Sequence, residues 1–235
     1  MPVGIDPNAY LVPRTVVYNG ETVDTATALT LMGIRTRADI TTLGAAQVWA
    51  ANAIPFALAA VRRTSGDVKD RYANAANLYS SAYYFADQNP DMTDGQKLVG
   101  TLAVIVRADG VNAEALRMEK ASATNAATAV SHAPPDDPVV PLAACDAKAR
   151  VRQIDRDLAG TLTDAQRNDN VALRQQYEQI VIAAGNPTCE PERKSNWIWW
   201  AVGGTGAAGV IGTLVWALAP ERKRKRAQAT AGSYG

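Results

Sequence analysis

The feature that most constrains the fold of this chain is an uncharged stretch near its C-terminus, from Trp197 to Ala219. The stretch contains no Asp, Glu, Lys, Arg, His, Asn or Gln. As an α-helix it would be roughly 33 Å long, which matches the hydrocarbon core of a lipid bilayer. A helix packed in a soluble protein normally keeps a polar face, and this stretch lacks one. The sequence therefore predicts a transmembrane helix over 197–219.

Aromatic and basic residues flank this stretch. Tryptophan favours the headgroup level of a membrane, where its ring is partly buried and its N–H meets water. Pro220 ends the helix, and a basic cluster follows it. We therefore predict membrane-interface anchors at Trp197, Trp199, Trp200 and Trp216, and lipid and topology contacts at Arg222, Lys223, Arg224, Lys225 and Arg226.

Small residues concentrate within the predicted membrane helix. Gly204, Ala208 and Gly212 recur every four residues and so share one helix face. Small side chains allow two helix backbones to approach closely in lipid. We predict that this face packs against another membrane helix.

The rest of the sequence predicts an all-α fold. Alanine is abundant, aromatic residues make up 6% of the chain, and sustained apolar–polar alternation is rare. The predicted architecture is a helical domain plus a helical hairpin, followed by the single C-terminal transmembrane helix and a short basic tail. The predicted segments are an extended N-terminal arm (1–23), the helical domain (24–130), a Pro-rich linker (131–141), the hairpin (142–184), a second linker (185–196), the membrane helix (197–219) and the tail (220–235).

Capping residues and helix breakers divide the helical domain. Asp24 or Thr25 is predicted to cap a short helix, and Asn19-Gly20 to form a turn before it. Thr93 or Asp94 is predicted to begin a further helix, and Gly110 to end it, with Asn112 opening the next. The tyrosines of a stripe that includes Tyr72, Tyr79 and Tyr83 are expected to form a core face with their hydroxyls at its rim.

A second apolar stretch, Thr41 to Val61, leaves the topology open. It could be a second membrane span, a re-entrant segment or a buried core helix. Gln47 and Asn52 are costly in lipid unless paired, and Pro55 removes a backbone hydrogen bond. We favour a kinked helix buried in the soluble domain.

The two cysteines, Cys145 and Cys189, lie near the same end of the predicted hairpin. The second arm is longer, so residues 185–188 would have to double back before the sulfurs could meet. A disulfide and two unrelated thiols are both compatible with this spacing, and a disulfide would imply an oxidising compartment.

Charge and motifs argue against the common classes of catalytic site. The formal net charge is +1, so no overall field favours nucleic acid or acidic substrates. The sequence has no Gly-rich phosphate loop and no G-x-S-x-G, and its single histidine, His132, lies in the Pro-rich segment. We predict a chain that is not an enzyme and that takes no cofactor or metal.

The basic tail is predicted to lie on the cytoplasmic or matrix side, with the helical domain on the opposite side. The N-terminus does not resemble a signal peptide. Three explanations remain open: the stretch around 43–61 is a first span, the chain enters the mitochondrial intermembrane space, or the chain is tail-anchored with a cytosolic domain.

These features predict a non-catalytic, membrane-anchored structural or accessory subunit of a larger membrane assembly, such as an energy-transducing complex. Its partners would be other membrane subunits, met through the membrane helix and the N-terminal arm, and anionic lipid at the basic tail. The alternative is a membrane protein of a virion or secretion apparatus whose tail contacts nucleic acid or anionic lipid. A third hypothesis is an anchored enzyme or sensor whose site carries no familiar motif.

Overall fold

The computed structural model describes residues 2–134 and 136–189, and this part of the chain is mostly helical. Residues 190–196, the predicted membrane helix and the basic tail lie outside the described residues, so the transmembrane helix stays a prediction. The elements, in chain order, are α1 (Asn8–Leu11), β1 (Thr15–Tyr18), β2 (Glu21–Asp24), α2 (Thr25–Leu31), a 3₁₀ turn (Arg37–Asp39), α3 (Leu43–Arg63), α4 (Gly66–Gln88), α5 (Asp94–His132), α6 (Val139–Leu158) and α7 (Asp164–Ala183).

The N-terminal region contains a two-stranded antiparallel hairpin, β1–β2, in which Val16 pairs with Val23. Asn19 and Gly20 connect the strands, and both have positive φ angles (50° and 85°). Two residues with positive φ give a turn whose twist matches that of the strands, which explains the Asn-Gly pair. The turn predicted at this position is present.

The structure differs from the extended arm expected over 1–23. The backbone N–H of Asp6 donates to Asn77 Oδ1 at 2.8 Å, and Asn77 Nδ2 donates to the Gly4 carbonyl at 2.9 Å. Ala9 and Val12 are buried in the same core cluster as residues of α3 and α4. Apolar residues between the prolines thus tie this segment to the protein's own helical domain.

α3 is the central helix of the domain and runs unbroken through Pro55. It is long and apolar enough to cross a membrane, but 67% of its most apolar window is buried inside the protein. Its interior amides have partners: Gln47 Nε2 donates to the Tyr83 carbonyl at 3.2 Å, and Asn52 Nδ2 donates to Gln166 Oε1 at 3.3 Å. These features fit a core helix, because polar side chains buried in a protein need such partners.

The sequence predicts two helices separated at Gly110, but the structure has a single helix, α5, at this place. It is one 39-residue helix with Gly110 in its interior. A mid-helix glycine costs roughly 1 kcal/mol relative to alanine, which packing along α4 and α7 outweighs. The predicted start is confirmed, because Thr93 and Gln96 form a reciprocal capping box.

Alanine-rich packing builds the core between α3, α4 and α5. One cluster joins α1, α3, α4 and α5, and a second joins α2 and the start of α3 to α4 and α5. Their larger buried members are Val12, Ile54, Leu58 and Tyr79 in the first cluster and Leu29, Ile34, Ile40, Val48 and Ile105 in the second. Since many of the other members are alanines, the helix backbones can approach closely.

α6 and α7 form the helical hairpin that the sequence predicts. Thr163 and Gln166 make the predicted capping box at the start of α7. The connection before α6 is shorter than the predicted linker, because α5 continues to His132 and α6 begins at Val139. Pro138 immediately precedes the first helical residue, where a missing N–H costs no hydrogen bond.

Two glycines of α5 offer a matched test of helix packing. A Cβ at Gly100 would meet the Phe85 ring at 2.3 Å, whereas a Cβ at Gly110 would meet nothing within 4 Å. Both Gly→Ala changes gain similar helix propensity, but only Gly100→Ala adds a steric conflict. We expect Gly100→Ala to be about 1–3 kcal/mol less stable than Gly110→Ala in urea unfolding followed by circular dichroism. Equal stabilities would contradict the close approach of α4 and α5 at this point.

Candidate functional site

A buried carboxylate, Glu119 of α5, is the centre of the polar interior. Arg63, the last residue of α3, holds it through Nε–Oε1 (3.0 Å) and Nη2–Oε2 (3.2 Å). The Tyr72 hydroxyl of α4 donates to Oε2 at 2.8 Å, and the Tyr177 hydroxyl of α7 donates to Oε1 at 3.1 Å. We call these four residues the Glu119 cluster. One side chain from each of four helices therefore meets at a single carboxylate.

Both charges of this cluster are shielded from solvent: the Arg63 side chain is 0% exposed and that of Glu119 is 2% exposed. Removing a carboxylate and a guanidinium from water is costly, so each needs good hydrogen-bonding partners. The two parallel N–H···O bonds and the two tyrosine hydroxyls supply them. Each carboxylate oxygen accepts two hydrogen bonds, and the pair is compensated within the protein.

Burial and mutual interaction hold Arg63, Tyr72 and Tyr177 each in one protonation state. Burial lowers the pKa of Arg63, but the Glu119 carboxylate, together with Tyr72 and Tyr177, raises that pKa by more. Burial, and then the Glu119 carboxylate, raise the pKa of Tyr72 and of Tyr177 well above the usual range. The guanidinium thus stays charged and the tyrosines remain hydrogen-bond donors at neutral pH.

Arg150 of α6 extends the network to the end of α3. Its Nε donates to Asp146 Oδ2 at 3.0 Å, and its Nη1 donates to the backbone carbonyl of Arg63. Its guanidinium also lies over the Tyr177 ring, 5.5 Å from the ring centroid. A cation is favoured at a helix C-terminus, where carbonyl groups lack intrahelical partners. Arg150 therefore attaches α6 to the main domain.

Asp157 of α6 also faces this network. Its Oδ2 lies 3.6 Å from Arg63 Nη1, which is too long for a strong hydrogen bond. Burial raises the pKa of Asp157, although Arg63 opposes that shift. Asp155, two residues earlier, instead pairs with Arg174 at 2.6 Å. The two aspartates point to different sides of the helix, as their spacing predicts.

The tyrosines of α4 lie deeper than the sequence suggests. Tyr72 and Tyr79 are both buried, and their hydroxyls donate to Glu119 and Asp109 inside the protein. Asp109 also pairs with Arg37 at 3.0 Å. The expectation of hydroxyls at a solvent-facing rim is therefore wrong for these two residues, because acidic partners on α5 meet them in the interior.

The arrangement of the Glu119 cluster suits a structural brace. Its carboxylate is saturated by protein donors, and the surface grooves of the described residues lie elsewhere, one between α6 and α7 and one where α4 meets the start of α5. Within residues 2–134 and 136–189, no three His, Cys, Asp or Glu side chains converge as a metal site would require. The geometry thus joins helices and presents no open group to a substrate.

Cys145 and Cys189 form a disulfide, which resolves the alternatives left open by their spacing. The Cα atoms are 5.5 Å apart, within the range that a disulfide requires. After α7, Gly185 and Asn186 adopt positive φ angles (70° and 53°) and turn the chain back. Lys148 Nζ then donates to the Pro187 carbonyl at 2.7 Å. The last described residues are thereby held against α6.

The other predicted site residues cannot be placed on the structure, because they lie outside its described part. These are the helix-packing residues Gly204, Ala208 and Gly212, the anchors Trp197, Trp199, Trp200 and Trp216, and the basic residues Arg222, Lys223, Arg224, Lys225 and Arg226. His132 is described and lies exposed at the end of α5.

Sequence analysis missed Glu119 as the centre of the interior. One pattern indicates it: Glu119 stands four residues from Ala115 and four from Ala123, both fully buried on the inner face of α5. No protein-family model matches the chain, and no curated protein or solved structure matches it. Its function is therefore inferred from its own residues.

Replacing the central carboxylate tests the brace. Glu119→Gln should lower the free energy of unfolding by about 3–5 kcal/mol, because it leaves the buried Arg63 charge with only the more distant Asp157 carboxylate. The matched control is Glu114→Gln, on the same helix as Glu119. It removes a half-exposed ion pair with Arg71 of α4. Such surface pairs contribute roughly 0–1 kcal/mol. A loss for Glu119→Gln no larger than that of the control, measured in urea unfolding of the full chain, would contradict the brace.

The disulfide has its own test. Peptide mapping by mass spectrometry without reductant should recover Cys145 linked to Cys189 in protein isolated from its native source. The double variant Cys145→Ser/Cys189→Ser should lose about 2–4 kcal/mol of stability, since the unfolded chain regains the freedom of the closed loop. Wild-type protein unfolded with reductant is the control and should match the variant. Free thiols in the native protein would count against an oxidising compartment.

Proposed function

We propose that this protein is a non-catalytic, membrane-anchored structural or accessory subunit of a larger membrane assembly, such as an energy-transducing complex. The uncharged stretch 197–219 would anchor the chain, and its small-residue face would contact a neighbouring helix. The helical domain would dock beside the membrane. The Glu119 carboxylate, which accepts its hydrogen bonds from the protein's own side chains, favours a structural role over catalysis.

The observation that carries this proposal is the Cys145–Cys189 disulfide. Disulfides persist in oxidising compartments and are rare in the reducing cytosol. This bond therefore favours a helical domain outside the cytoplasm or matrix. The basic cluster after the membrane helix independently favours a tail on the opposite, cytoplasmic or matrix side.

The packing of α3 supports a single membrane anchor. A second span at Leu43–Arg63 would place Glu119-bound Arg63 and the paired Asn52 in or beside lipid. It would also separate α3 from the cores that it shares with α4 and α5. A buried core helix requires neither change.

The basic cluster supports a second candidate function, a membrane protein of a virion or secretion apparatus. Five consecutive basic residues, Arg222 to Arg226, could neutralise phosphates of a packaged nucleic acid or of anionic lipid. Aromatic residues are not interleaved among them, so base stacking is not indicated. Salt-dependent binding of full-length protein to single-stranded DNA, lost in a tail-neutralised variant, would favour this candidate.

Extraction from the source membrane in mild detergent tests the accessory-subunit proposal. We expect the protein to migrate on a native gel with a defined complex in fixed stoichiometry, because its membrane helix and domain would both contact partner subunits. Mass spectrometry of the co-migrating band would identify them. Migration alone or as a simple homo-oligomer would contradict the proposal.

A pair of substitutions tests the predicted packing face. Ala208→Ile places a bulky side chain on the face of Gly204 and Gly212, whereas Ala217→Ile makes the same change on the opposite side of the predicted helix. We expect Ala208→Ile to reduce co-purification with partners, and both variants to remain resistant to carbonate extraction. Unchanged co-purification of Ala208→Ile would show that this face is not an interface.

A further inference from the structure

An apolar groove runs between α6 and α7 on one face of the hairpin. We call this surface the exit face, and it is lined by Lys148, Val151, Glu178, Val181, Ile182 and Asn186. Ile182 is 65% exposed, so a large aliphatic side chain lies open at this groove. Its neighbours Val151 and Val181 are half-buried.

The described chain leaves the domain on this same face. Asn186 lines the groove, and Lys148, also in the groove, donates to the Pro187 carbonyl. The disulfide then binds Cys189 to Cys145, one turn of α6 before Lys148. The apolar groove and the start of the C-terminal segment are therefore held side by side by a covalent bond.

The length of the connecting segment limits how far this face can lie from the predicted membrane helix. Residues 190–196 separate Cys189 from Trp197. Even fully extended, the chain between these two Cα atoms covers at most about 29 Å. Ile182 is therefore closer to the predicted anchor along the chain than any other large exposed hydrophobic side chain of the described residues.

We propose that the exit face docks on the lipid headgroup region of the membrane into which the chain is anchored. Ile182 and Val181 would enter the boundary between headgroups and acyl chains, as apolar side chains of interfacial helices do. Lys148 lines the groove itself, and the exposed Arg152 lies one turn further along α6. The two cations would meet lipid phosphates. This inference rests on the proposed membrane anchor.

Site-specific photo-crosslinking in the full-length protein tests this docking. p-Benzoylphenylalanine is placed at Ile182 or, as the matched control, at Val99, which is 69% exposed on α5. Each variant is reconstituted in phosphatidylcholine vesicles, irradiated and analysed for lipid adducts by mass spectrometry. Position 182 should give roughly fivefold or more adduct than position 99, since an interfacial side chain is in continuous contact with lipid.

The outcomes separate this inference from the proposed function. Carbonate extraction of the same vesicles reports whether the chain is anchored at all. Anchored protein with equal lipid adducts at the two positions, or with adducts at 182 only to a second polypeptide, would overturn lipid docking and leave the anchor intact. Protein released by carbonate would overturn the anchor and the docking together.

Discussion

The structure depends on one buried interaction, the ion pair between Arg63 and Glu119. It joins the end of α3 to α5, and the hydroxyls of Tyr72 and Tyr177 join α4 and α7 to the same carboxylate. Buried ion pairs contribute little net stability relative to apolar residues, but losing one partner is severely destabilising. In a core built largely from alanine, where many packings have similar energies, such a pair selects one register of the helices. We infer that specificity is its main contribution.

The Arg63–Glu119 ion pair is part of a wider network of charged groups in the domain. The Glu119 carboxylate faces inward and is hydrogen-bonded by three side chains. Arg150 caps the end of α3 and pairs with Asp146. The disulfide then holds the last described residues against α6. The result is a braced helical body whose chain leaves at one covalently defined point.

Local chemistry made much of the fold predictable. The Asn19-Gly20 turn, the Asp24 cap and the capping boxes at Thr93 and Thr163 all occur as their side chains dictate. The chain reversal needed for the disulfide was also foreseeable, because the two hairpin arms differ in length. Such features depend on neighbours within a few residues, which a sequence displays directly.

The remaining features depend on contacts between distant parts of the chain. Gly110 was expected to end a helix, but tertiary packing overrides its weak propensity. The N-terminal segment was expected to be extended, but Asn77, far along the chain, binds its backbone. The role of Glu119 was not predicted, because its partners come from three other helices. A single sequence shows none of these pairings.

The central claim is a membrane anchor with the disulfide-bonded domain on one side and the basic tail on the other. Trypsin treatment of sealed native vesicles whose cytoplasmic or matrix face points outward measures this arrangement most directly. The account predicts cleavage within Arg222–Arg226 while residues 2–189 stay intact until detergent is added. Digestion of the helical domain in sealed vesicles, with the tail protected, would contradict it.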